Sequence, residues 1–372
     1  MLHIQFLSND ITSALIPVLS LKPDRAIFLY DNDEISPKRV NSIVSAVRKK
    51  LPRTTIICDT VDRFEFADVA DKLKNIEVGN EMIYFGTAGS TESVSIGALF
   101  YCYKMGGVPF YTDFEQKTLN NAITGEKICE IAPVSLDDYI RALGAKREDQ
   151  MREKPSGKDF FRIKKMAEWI FAHEGDWHML CASIQKTKRK KGEPELWFYA
   201  PQRSLGNTLE RLKFYGFIKE CPGGEGWYEA ESDAVMGWLK TYGYWLEMYT
   251  YINGLKFFDE TEISVKFDWD GSDRYLTENE IDVIGIKDSI PWFISCKMSD
   301  IEPSAMHEIS NLAIHFGGPN SKKFIATTGN KASDNRRAYM RKMHIGLIDV
   351  TRFYDETPEK VFSDAKNTAE EN

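Results

Sequence analysis

From Met1 to Thr112 the chain alternates short apolar runs with stretches of helical periodicity, and no other feature limits its fold as strongly. The five runs have the length of buried strands, and the helical patterns lie between them. Such repetition predicts a parallel sheet with helices on both faces, whose ligands bind at the carboxyl ends of the strands. The predicted strands are His3–Leu7, Ala26–Tyr30, Thr54–Cys58, Met82–Phe85 and Pro109–Thr112, and the predicted helices lie near Ser13–Leu19, Ser36–Leu51, Arg63–Lys74 and Glu92–Met105.

The length, composition and net charge of the sequence limit the class of protein. Its 372 residues suffice for two or three domains, and 42% of them are hydrophobic, enough for a core in each. The net charge of -8 argues against a protein that coats DNA by bulk charge, although an enzyme acting on nucleic acid needs only a local positive channel. The cysteines form no CxxC pair, and no apolar run approaches the length of a membrane span. We therefore expect a cytoplasmic protein with reduced thiols and no membrane partner.

A charged segment from Lys146 to Asp159, poor in apolar residues, divides the chain. It contains Pro155 and Gly157 and is predicted to be a linker, residues 146–159, after a first domain of residues 1–145. Residues 160–231 then show two helical patterns followed by two short strands, an order that resembles a winged helix. The predicted elements are the helices Phe160–His173 and Ser204–Tyr215 and the strands Phe217–Glu220 and Trp227–Glu229.

Residues 232–355 form the third predicted unit, with the element order α-β-β-β-α-β-α-β. It opens with a helix near Ser232–Leu255, whose apolar side chains repeat at helical spacing. Residues 356–372 are polar and are predicted to be a frayed tail. The other elements are the strands Ile263–Trp269, Glu280–Lys287 and Trp292–Met298, the helix Pro303–His315, the strand Lys323–Thr327, the helix Asp334–His344 and the strand Gly346–Val350.

The predicted hairpin Glu280–Lys297 holds the strongest candidates for chemistry. Alternation along its strands places Asp282 and Lys297 on adjacent strands, where both can face one phosphate. This layout suits a metal-dependent nuclease, because a metal ion polarises the phosphoryl oxygen and lowers the pKa of its water. The alternative is a structural hairpin whose lysine reaches to solvent. The surrounding element order and the acidic residue Glu247 on the preceding helix favour the chemical interpretation.

The element order, together with the motif acid-x(12)-Ser-Cys-Lys, resembles the PD-(D/E)xK restriction-endonuclease-like superfamily over Ser232–Val350. The resemblance implies that Asp282 binds Mn²⁺ or Mg²⁺ and that Lys297 orients or activates water. Ser295 stands where the family usually has Asp or Glu. A neutral hydroxyl is a poor ligand for these cations, so another carboxylate must replace the missing one.

Three residues are candidates for the missing carboxylate. Glu247 occupies a position where many relatives carry an acidic residue, and Glu280 or Glu308 are the alternatives. The backbone carbonyl of Cys296 is a further candidate ligand. We therefore assign catalysis to Asp282, Lys297, Glu247 and Ser295, and metal binding to Asp282, Glu247 and the carbonyl of Cys296.

Basic residues outside the hairpin are candidate contacts for a nucleic acid. Arg336 and Arg337 open the late helix, and Lys186–Lys191 is the strongest basic run, but each equally suits an ordinary solvated surface. Acidic residues dilute the charge of the winged-helix-like segment, which favours a structural or dimer-contact role. His307 and His315 lack a third clustered ligand, so no zinc site is expected.

The segment Tyr84–Ile96 is the most informative part of the first domain. It combines a strand end, a loop of small residues and a helix start, an arrangement that suits phosphate. The dinucleotide fingerprint GxGxxG is absent, and the run Phe85-Gly86-Thr87-Ala88-Gly89-Ser90-Thr91 resembles the Asn-x-Thr-Gly-Gly-Thr-Lys loop of the CARF family instead. Phe85 replaces the Asn and Ala88 replaces one Gly.

The CARF resemblance implies a Rossmann-like homodimer that binds a cyclic oligoadenylate. Its contacts are expected in the loop after the first strand, in the small-residue loop and at the end of the last strand. Simple turn and capping chemistry is the alternative for each loop. The implied ligand-binding residues are Ser8, Asn9, Asp10, Thr87, Ala88, Gly89, Ser90, Thr91 and Thr112.

The two resemblances together cover nearly the whole chain. A CARF-like domain joined to a PD-(D/E)xK-like core is similar to the CRISPR ancillary nucleases of the DUF1887 type. They imply an α/β protein with an N-terminal Rossmann-like CARF domain, a winged-helix-like insert and a C-terminal restriction-endonuclease-like domain. We expect a homodimer in type III CRISPR antiviral defence that cleaves single-stranded DNA or RNA, or nicks duplex DNA, when cyclic tetra-adenylate binds. Two alternatives are a ligand-responsive transcription regulator with an inactive nuclease core, which Ser295 favours, and a ring nuclease that degrades the cyclic messenger.

Overall fold

A seven-stranded sheet flanked by helices forms the N-terminal part of the protein. The computed structural model describes residues 1–370 apart from residues 87, 90, 148–152, 189–193, 223, 269–277 and 330, and only the backbone of residues 66, 92–94, 278 and 279. The strands are β1 (Leu2–Leu7), β2 (Arg25–Tyr30), β3 (Thr55–Thr60), β4 (Ile83–Gly86), β5 (Val108–Asp113), β6 (Thr118–Asn121) and β7 (Lys127–Glu130). The helices are α1 (Ile11–Leu21), α2 (Pro37–Lys50), α3 (Phe66–Lys74), α4 (Glu92–Lys104) and α5 (Leu136–Leu143).

The strand order β3-β2-β1-β4-β5-β6-β7 confirms the predicted parallel sheet. Strands β1 to β5 pair in parallel, and β6 and β7 extend the sheet as an antiparallel edge that the sequence did not predict. The direction of the order reverses at β1, which lies between β2 and β4. The loops after β1 and β4 therefore leave a crevice between them at the carboxyl edge, where sheets of this kind bind ligands.

Helices and a small antiparallel sheet make up the middle of the chain. After the two-residue strand β8 (Lys146–Arg147) come α6 (Phe160–Ala172), α7 (Glu174–Lys186), β9 (Trp197–Tyr199), α8 (Gln202–Phe214), β10 (Ile218–Glu220) and β11 (Trp227–Ala230). The three later strands pair in the order β10-β11-β9. A helical unit with a terminal β-hairpin agrees with the winged-helix-like arrangement predicted from the sequence.

The C-terminal part is a six-stranded mixed sheet in the order β16-β15-β14-β13-β12-β8. The predicted order of strands and helices is confirmed. Among the described residues, no helix is long and apolar enough to cross a membrane. The elements are α9 (Asp233–Lys240), α10 (Tyr244–Gly254), β12 (Glu260–Asp268), β13 (Glu278–Lys287), β14 (Ile290–Lys297), α11 (Pro303–Gly317), β15 (Lys322–Thr327), α12 (Asp334–Lys342), β16 (Ile345–Asp349), a 3-10 turn (Val350–Tyr354) and α13 (Pro358–Glu370).

Three predictions about element boundaries need correction. The predicted helix Ser232–Leu255 is two helices, because α9 ends at Lys240 and α10 begins at Tyr244, and the indole N–H of Trp245 donates to the carbonyl of Trp238 across the break. The prediction that residues 356–372 form a frayed tail is wrong, because α13 fills most of this segment. The start of the predicted linker 146–159 is the edge strand β8, which pairs with β12.

Helix α13 buries an apolar stripe that the polar composition of its sequence concealed. Val361, Phe362, Ala365 and Ala369 follow helical spacing and are all buried. The ring of Phe362 stacks on Phe257 with centroids 5.0 Å apart. The buried face of α13 is therefore visible in the periodicity of its sequence and not in its composition.

A buried polar network joins the N-terminal part of the protein to the turn of the hairpin β13–β14. The hydroxyl of Ser289 donates to the carbonyl of Ala132 at 2.9 Å and accepts from the amide of Val134 at 3.0 Å. The Tyr139 hydroxyl donates to the Ser289 carbonyl at 2.8 Å. Because Ser289, Val134 and Tyr139 are buried, their polar groups depend on one another for hydrogen bonds.

The same network reaches the first turn of α1 and the end of α11. The hydroxyl of Thr12 donates to the carbonyl of Gly317 and lies 3.1 Å from the hydroxyl of Tyr139. The Tyr139 ring also stacks on Phe316 with centroids 5.8 Å apart. The N-terminal domain thus holds both the hairpin turn and the C-terminal end of α11.

The hairpin turn itself has an unfavourable backbone conformation. Asp288 and Ser289 have φ values of 53° and 67°, a two-residue turn that usually contains glycine or asparagine. Such left-handed residues cost on the order of 1 kcal/mol each and persist only where their surroundings hold them. Besides the Ser289 contacts, Lys117 pairs with Asp288 at 2.7 Å.

We predict that Ser289→Ala lowers the free energy of unfolding by about 1–3 kcal/mol, because it leaves the buried N–H of Val134 and the partly buried carbonyl of Ala132 without the Ser289 hydroxyl. Chemical denaturation followed by fluorescence measures this loss. Ser321→Ala is the matched control, since the buried Ser321 hydroxyl has no hydrogen-bond partner among the described residues. Equal stability of the two variants would contradict the prediction.

Candidate active site

The two strands of the hairpin bring a carboxylate and a lysine to one small cleft, about 40 Å³ in volume. Helix α11 covers one side of this cleft with Ile309 and Leu312. The polar residues that line it are Glu280, Asp282, Ser295, Lys297 and Glu308. The predicted pair Asp282 and Lys297 therefore lies in one site, together with both alternative carboxylates considered from the sequence.

Strand geometry explains how these side chains meet. Alternate residues of a strand share a face, so Glu280 and Asp282 face the same side on β13, as Ser295 and Lys297 do on β14. The antiparallel pairing of Val283 with Ile294 places Asp282 across from Ser295. The carboxyl end of β14 thus carries the lysine past the aspartate.

Asp282 is held by two donors from the opposite strand. Its Oδ2 accepts from the amide of Cys296 at 2.7 Å and from the hydroxyl of Ser295 at 3.3 Å. Burial raises the pKa of the Asp282 carboxyl, and the Cys296 amide and the charge of Lys297 counteract that rise. The ionised carboxylate therefore depends on nearby positive charge, which a lysine or a metal cation supplies.

Glu247 lies on α10 and does not line the cleft. Its buried carboxylate accepts a hydrogen bond from the hydroxyl of Ser264 at 2.8 Å. Burial raises the pKa of the Cys296 thiol well above its usual value, and the carboxylates of Asp282 and Glu247 raise it further. The Cys296 side chain faces α10, since its Sγ lies 3.8 Å from the hydroxyl oxygen of Thr250. No sequence pattern pointed to Ser264, which sits inside an ordinary-looking strand.

The oxygen donors of the cleft fit a divalent cation that is shared with a substrate. Asp282, Glu280 and Glu308 supply hard carboxylate oxygens. In the described part of the chain, no three His, Cys, Asp or Glu side chains are already arranged to hold a metal ion. Mg²⁺ typically takes one or two protein carboxylates and completes its shell with water and substrate phosphate, so a partial protein set is sufficient.

The side chains of the loop after β1 form hydrogen bonds with nearby backbone groups. Asp10 caps α1 by accepting from the amide of Ser13 at 3.2 Å, and Asn9 donates to the carbonyl of Glu34 at 2.7 Å. The hydroxyl of Ser8 accepts from the amide of Asp10 at 3.3 Å. These bonds agree with the capping alternative, and the role of Ser8, Asn9 and Asp10 in ligand binding stays a prediction.

The loop after β4 is packed against the end of β1. Gly89 has a φ of 96°, and a Cβ there would lie 2.5 Å from the carbonyl oxygen of Phe6, so only glycine fits. Ala88 is exposed, and the hydroxyl of Thr91 donates to the carbonyl of Arg63 at 2.7 Å. The predicted ligand residues Thr87 and Ser90 lie outside the described residues.

Other predicted contact residues already have partners within the protein. Thr112 pairs with Leu119 in the antiparallel ladder between β5 and β6. Arg336 lies 3.4 Å from Glu302, and the Arg337 side chain donates to the carbonyl of Ala332. In the basic run, residues 189–191 lie outside the described part of the chain.

Comparison with solved structures finds this fold over nearly the whole chain. Protein VC1899 from Vibrio cholerae matches with a TM-score of 0.79 and 13% identity, covering 99% of this chain and 98% of that one. Can2 from Sulfobacillus thermosulfidooxidans, solved in complex with cyclic tetra-adenylate, matches with a TM-score of 0.71 and 17% identity, covering 95% and 97%. No family model and no curated protein matches the sequence.

A third similar structure is a type III CRISPR defence DNA nuclease activated by cyclic oligoadenylate. Its TM-score is 0.52 at 13% identity, and the match covers 88% of this chain but 45% of that one. At such identities the likeness is one of fold. The predicted fold class, a Rossmann-like α/β domain followed by a second α/β domain, is confirmed.

We predict that Ser295→Asp lowers the melting temperature without metal and gains more from added Mn²⁺ than the wild type does. The new carboxylate would lie beside Asp282, where like charges repel until a cation binds them both. A ligand at about a hundred times its Kd stabilises by about 2.7 kcal/mol, a shift that thermal denaturation resolves. Ser295→Asn is the uncharged control, and equal Mn²⁺ responses of the two variants would refute the prediction.

Proposed function

We propose that this protein is a metal-dependent nuclease that a cyclic oligoadenylate activates in type III CRISPR antiviral defence. The observation that carries the proposal is the cleft in which Asp282 and Lys297 meet on the hairpin of a nuclease-like sheet. Full-length likeness to Can2, which was solved with cyclic tetra-adenylate, supports the regulatory half. The substrate class is single-stranded DNA or RNA, or duplex DNA that is nicked.

The residues of the cleft divide the chemistry between them. A bound Mn²⁺ or Mg²⁺ polarises a phosphoryl oxygen and lowers the pKa of its water. Asp282 holds the cation, and Glu280, Glu308 or Glu247 adds a second carboxylate. Lys297 orients the attacking water or offsets the negative charge that builds up on the phosphate. The Ser295 hydroxyl keeps Asp282 in place.

The crevice between β1 and β4 is the proposed site for cyclic tetra-adenylate. Helix α4 begins at Glu92, directly after the small-residue loop, and unpaired amides at a helix start bind phosphate. The loop after β1 has its side chains in local hydrogen bonds, so its contribution to the ring comes mainly from backbone groups. Ser8, Asn9, Asp10, Thr87 to Thr91 and Thr112 remain the proposed contacts.

An exposed apolar stripe on α4 supports the proposed homodimer. Ile96, Phe100 and Tyr103 follow one helix face and are 68%, 72% and 64% exposed. An exposed cluster of this size on a folded domain usually marks an interaction surface. A two-fold dimer would suit a symmetric ring, because each copy presents the same crevice to it.

The buried network offers a direct path for activation. The loop Ser8–Asp10 leads into α1, whose Thr12 bonds the end of α11, and α11 carries Glu308 into the cleft. A ligand that binds this loop differently in two arrangements of the dimer would shift the position of α11. This path adds to the linker 146–159, through which the motion was expected to pass.

Cleavage of labelled single strands of DNA and RNA with Mn²⁺, with and without cyclic tetra-adenylate, tests the assignment. We predict that the ring activates the wild type and that Asp282→Ala and Lys297→Ala lose about a hundredfold or more in rate. Lys287→Ala is the control, because Lys287 lies on the same hairpin and pairs with Asp259 outside the cleft. Unchanged cutting in both cleft variants would rule out this active site.

The incomplete set of metal ligands favours a second candidate function. Without an assembled three-ligand group among the described residues, the same fold would suit a ligand-responsive transcription regulator that reads DNA through its winged-helix-like segment. Specific binding of duplex DNA without cleavage in the same assay would favour the regulator. Loss of the ring over time with no cut strands would instead favour a ring nuclease.

We predict that Phe100→Glu converts the dimer into monomers, because it places a charge at the centre of the proposed apolar contact. Analytical ultracentrifugation measures the mass in solution. Phe214→Glu on α8 is the control, since Phe214 is 77% exposed and lies far along the chain from α4. A monomeric wild type, or equal dissociation of both variants, would contradict the predicted interface.

A further inference from the structure

Phe64 presents its ring to solvent at the carboxyl edge of the N-terminal sheet. It lies in the segment between β3 and α3 and is 72% exposed. Its backbone N–H donates to the Asp62 carboxylate at 2.9 Å, which fixes the turn that carries the ring. The guanidinium of Arg63 lies over one ring face, 4.9 Å from the centroid. This contact and the exposure together leave the second face of the ring open to solvent.

The segment that carries Phe64 is bonded to both sides of the crevice between β1 and β4. On one side, the hydroxyl of Thr91, directly before α4, donates to the carbonyl of Arg63 at 2.7 Å. On the other side, the Arg63 side chain pairs with Glu34, whose carbonyl accepts from the side chain of Asn9 at 2.7 Å. Asn9 belongs to the loop after β1. These bonds place the exposed ring at the rim of the proposed ligand site.

The carboxylates around this segment decide which part of a nucleotide suits the ring. Asp31 accepts from the backbone N–H of Arg63 at 3.0 Å. Asp33, Glu34 and Asp62 lie in the same two loops. Phosphates are disfavoured beside such a group of negative charges and favoured at the start of α4, where the helix dipole is positive. A neutral base escapes this repulsion, and its flat face matches an exposed aromatic ring.

We propose that Phe64 stacks on an adenine base of the cyclic oligoadenylate. The proposal rests on the function proposed above and extends its ligand site from the two crevice loops to the segment after β3. In a two-fold dimer each copy of Phe64 would take one base, while the phosphates lie near the two α4 starts. Stacking accepts the face of any base, so Phe64 supplies affinity, and hydrogen bonds elsewhere select adenine.

A contact between two copies of the chain is the other role that suits an exposed ring. Helices α3 and α4 pack against each other, so Phe64 at the start of α3 would extend the apolar stripe of α4. The two roles predict different results. A dimer contact needs any large apolar side chain at this position, whereas base stacking needs an aromatic face.

The test measures binding of cyclic tetra-adenylate to the full-length protein by isothermal titration calorimetry. Phe64→Leu keeps an apolar side chain and removes the aromatic face, and Phe64→Trp keeps such a face. We expect Phe64→Leu to raise the Kd about tenfold and Phe64→Trp to retain most of the affinity. Phe161→Leu is the matched control, because Phe161 is 71% exposed and lies on α6.

A ring in which 2-aminopurine replaces one adenine supplies a second signal, since stacking quenches its fluorescence. We expect strong quenching by the wild type and Phe64→Trp and weaker quenching by Phe64→Leu. Equal quenching by the wild type and Phe64→Leu overturns the inference while the ligand-activated function stands. A lower affinity of Phe64→Leu that coincides with dissociation into monomers in analytical ultracentrifugation overturns it in favour of the dimer contact. A wild type that does not bind the ring overturns the proposed function and this inference together.

Discussion

The turn Asp288–Ser289 is the contact on which the arrangement of the protein depends. Both residues have left-handed backbones, and the Ser289 hydroxyl bonds two backbone groups of the N-terminal domain, the buried amide of Val134 and the partly buried carbonyl of Ala132. The hairpin that carries Asp282 and Lys297 is therefore fixed at its turn by the domain that is proposed to bind the ligand. In a protein of independent domains, a linker alone would set the position of the hairpin relative to the N-terminal domain. Here a buried polar network sets it, and such a network loses several bonds at once if the domains shift.

Helix α11 extends that constraint to the chemistry. Its C-terminal end accepts a bond from Thr12, and Glu308 nearer its start lines the cleft. Because a helix moves largely as a unit, a displacement at one end changes the position of the carboxylate near the other. The proposed activation thus requires no long chain of separate contacts. It requires that α1 and α11 keep their buried contact while the crevice loop changes, which is the property that a fully satisfied buried bond provides.

The sequence predictions rested on local patterns. Contacts between distant segments could not be predicted in this way. Alternating strands and helices identified the parallel sheet, and the spacing of Asp282 and Lys297 identified a hairpin whose side chains do meet. The bond between Ser264 and Glu247 depends on a strained φ that no propensity encodes. The polar network through Tyr139 joins segments that are 150 residues apart, and sequence periodicity holds no information on such pairs. The helix at Pro358–Glu370 was missed for another reason, because its buried stripe is diluted by charged residues.

In the proposed nuclease, the serine at position 295 suits a metal site that is incomplete without its substrate. Asp282 already lies beside Glu280 and shares its cleft with Glu308, and burial makes each further negative charge more costly. A carboxylate at 295 would add repulsion whenever no cation is bound, whereas a hydroxyl donates to Asp282 and stabilises the empty site. In the proposed enzyme the consequence would be a lower affinity for the cation, because fewer charged oxygens are in place. Such a site would become complete only when the substrate brings phosphate oxygens. In the proposed enzyme, this dependence places control of cleavage in the geometry that the N-terminal domain imposes on the hairpin.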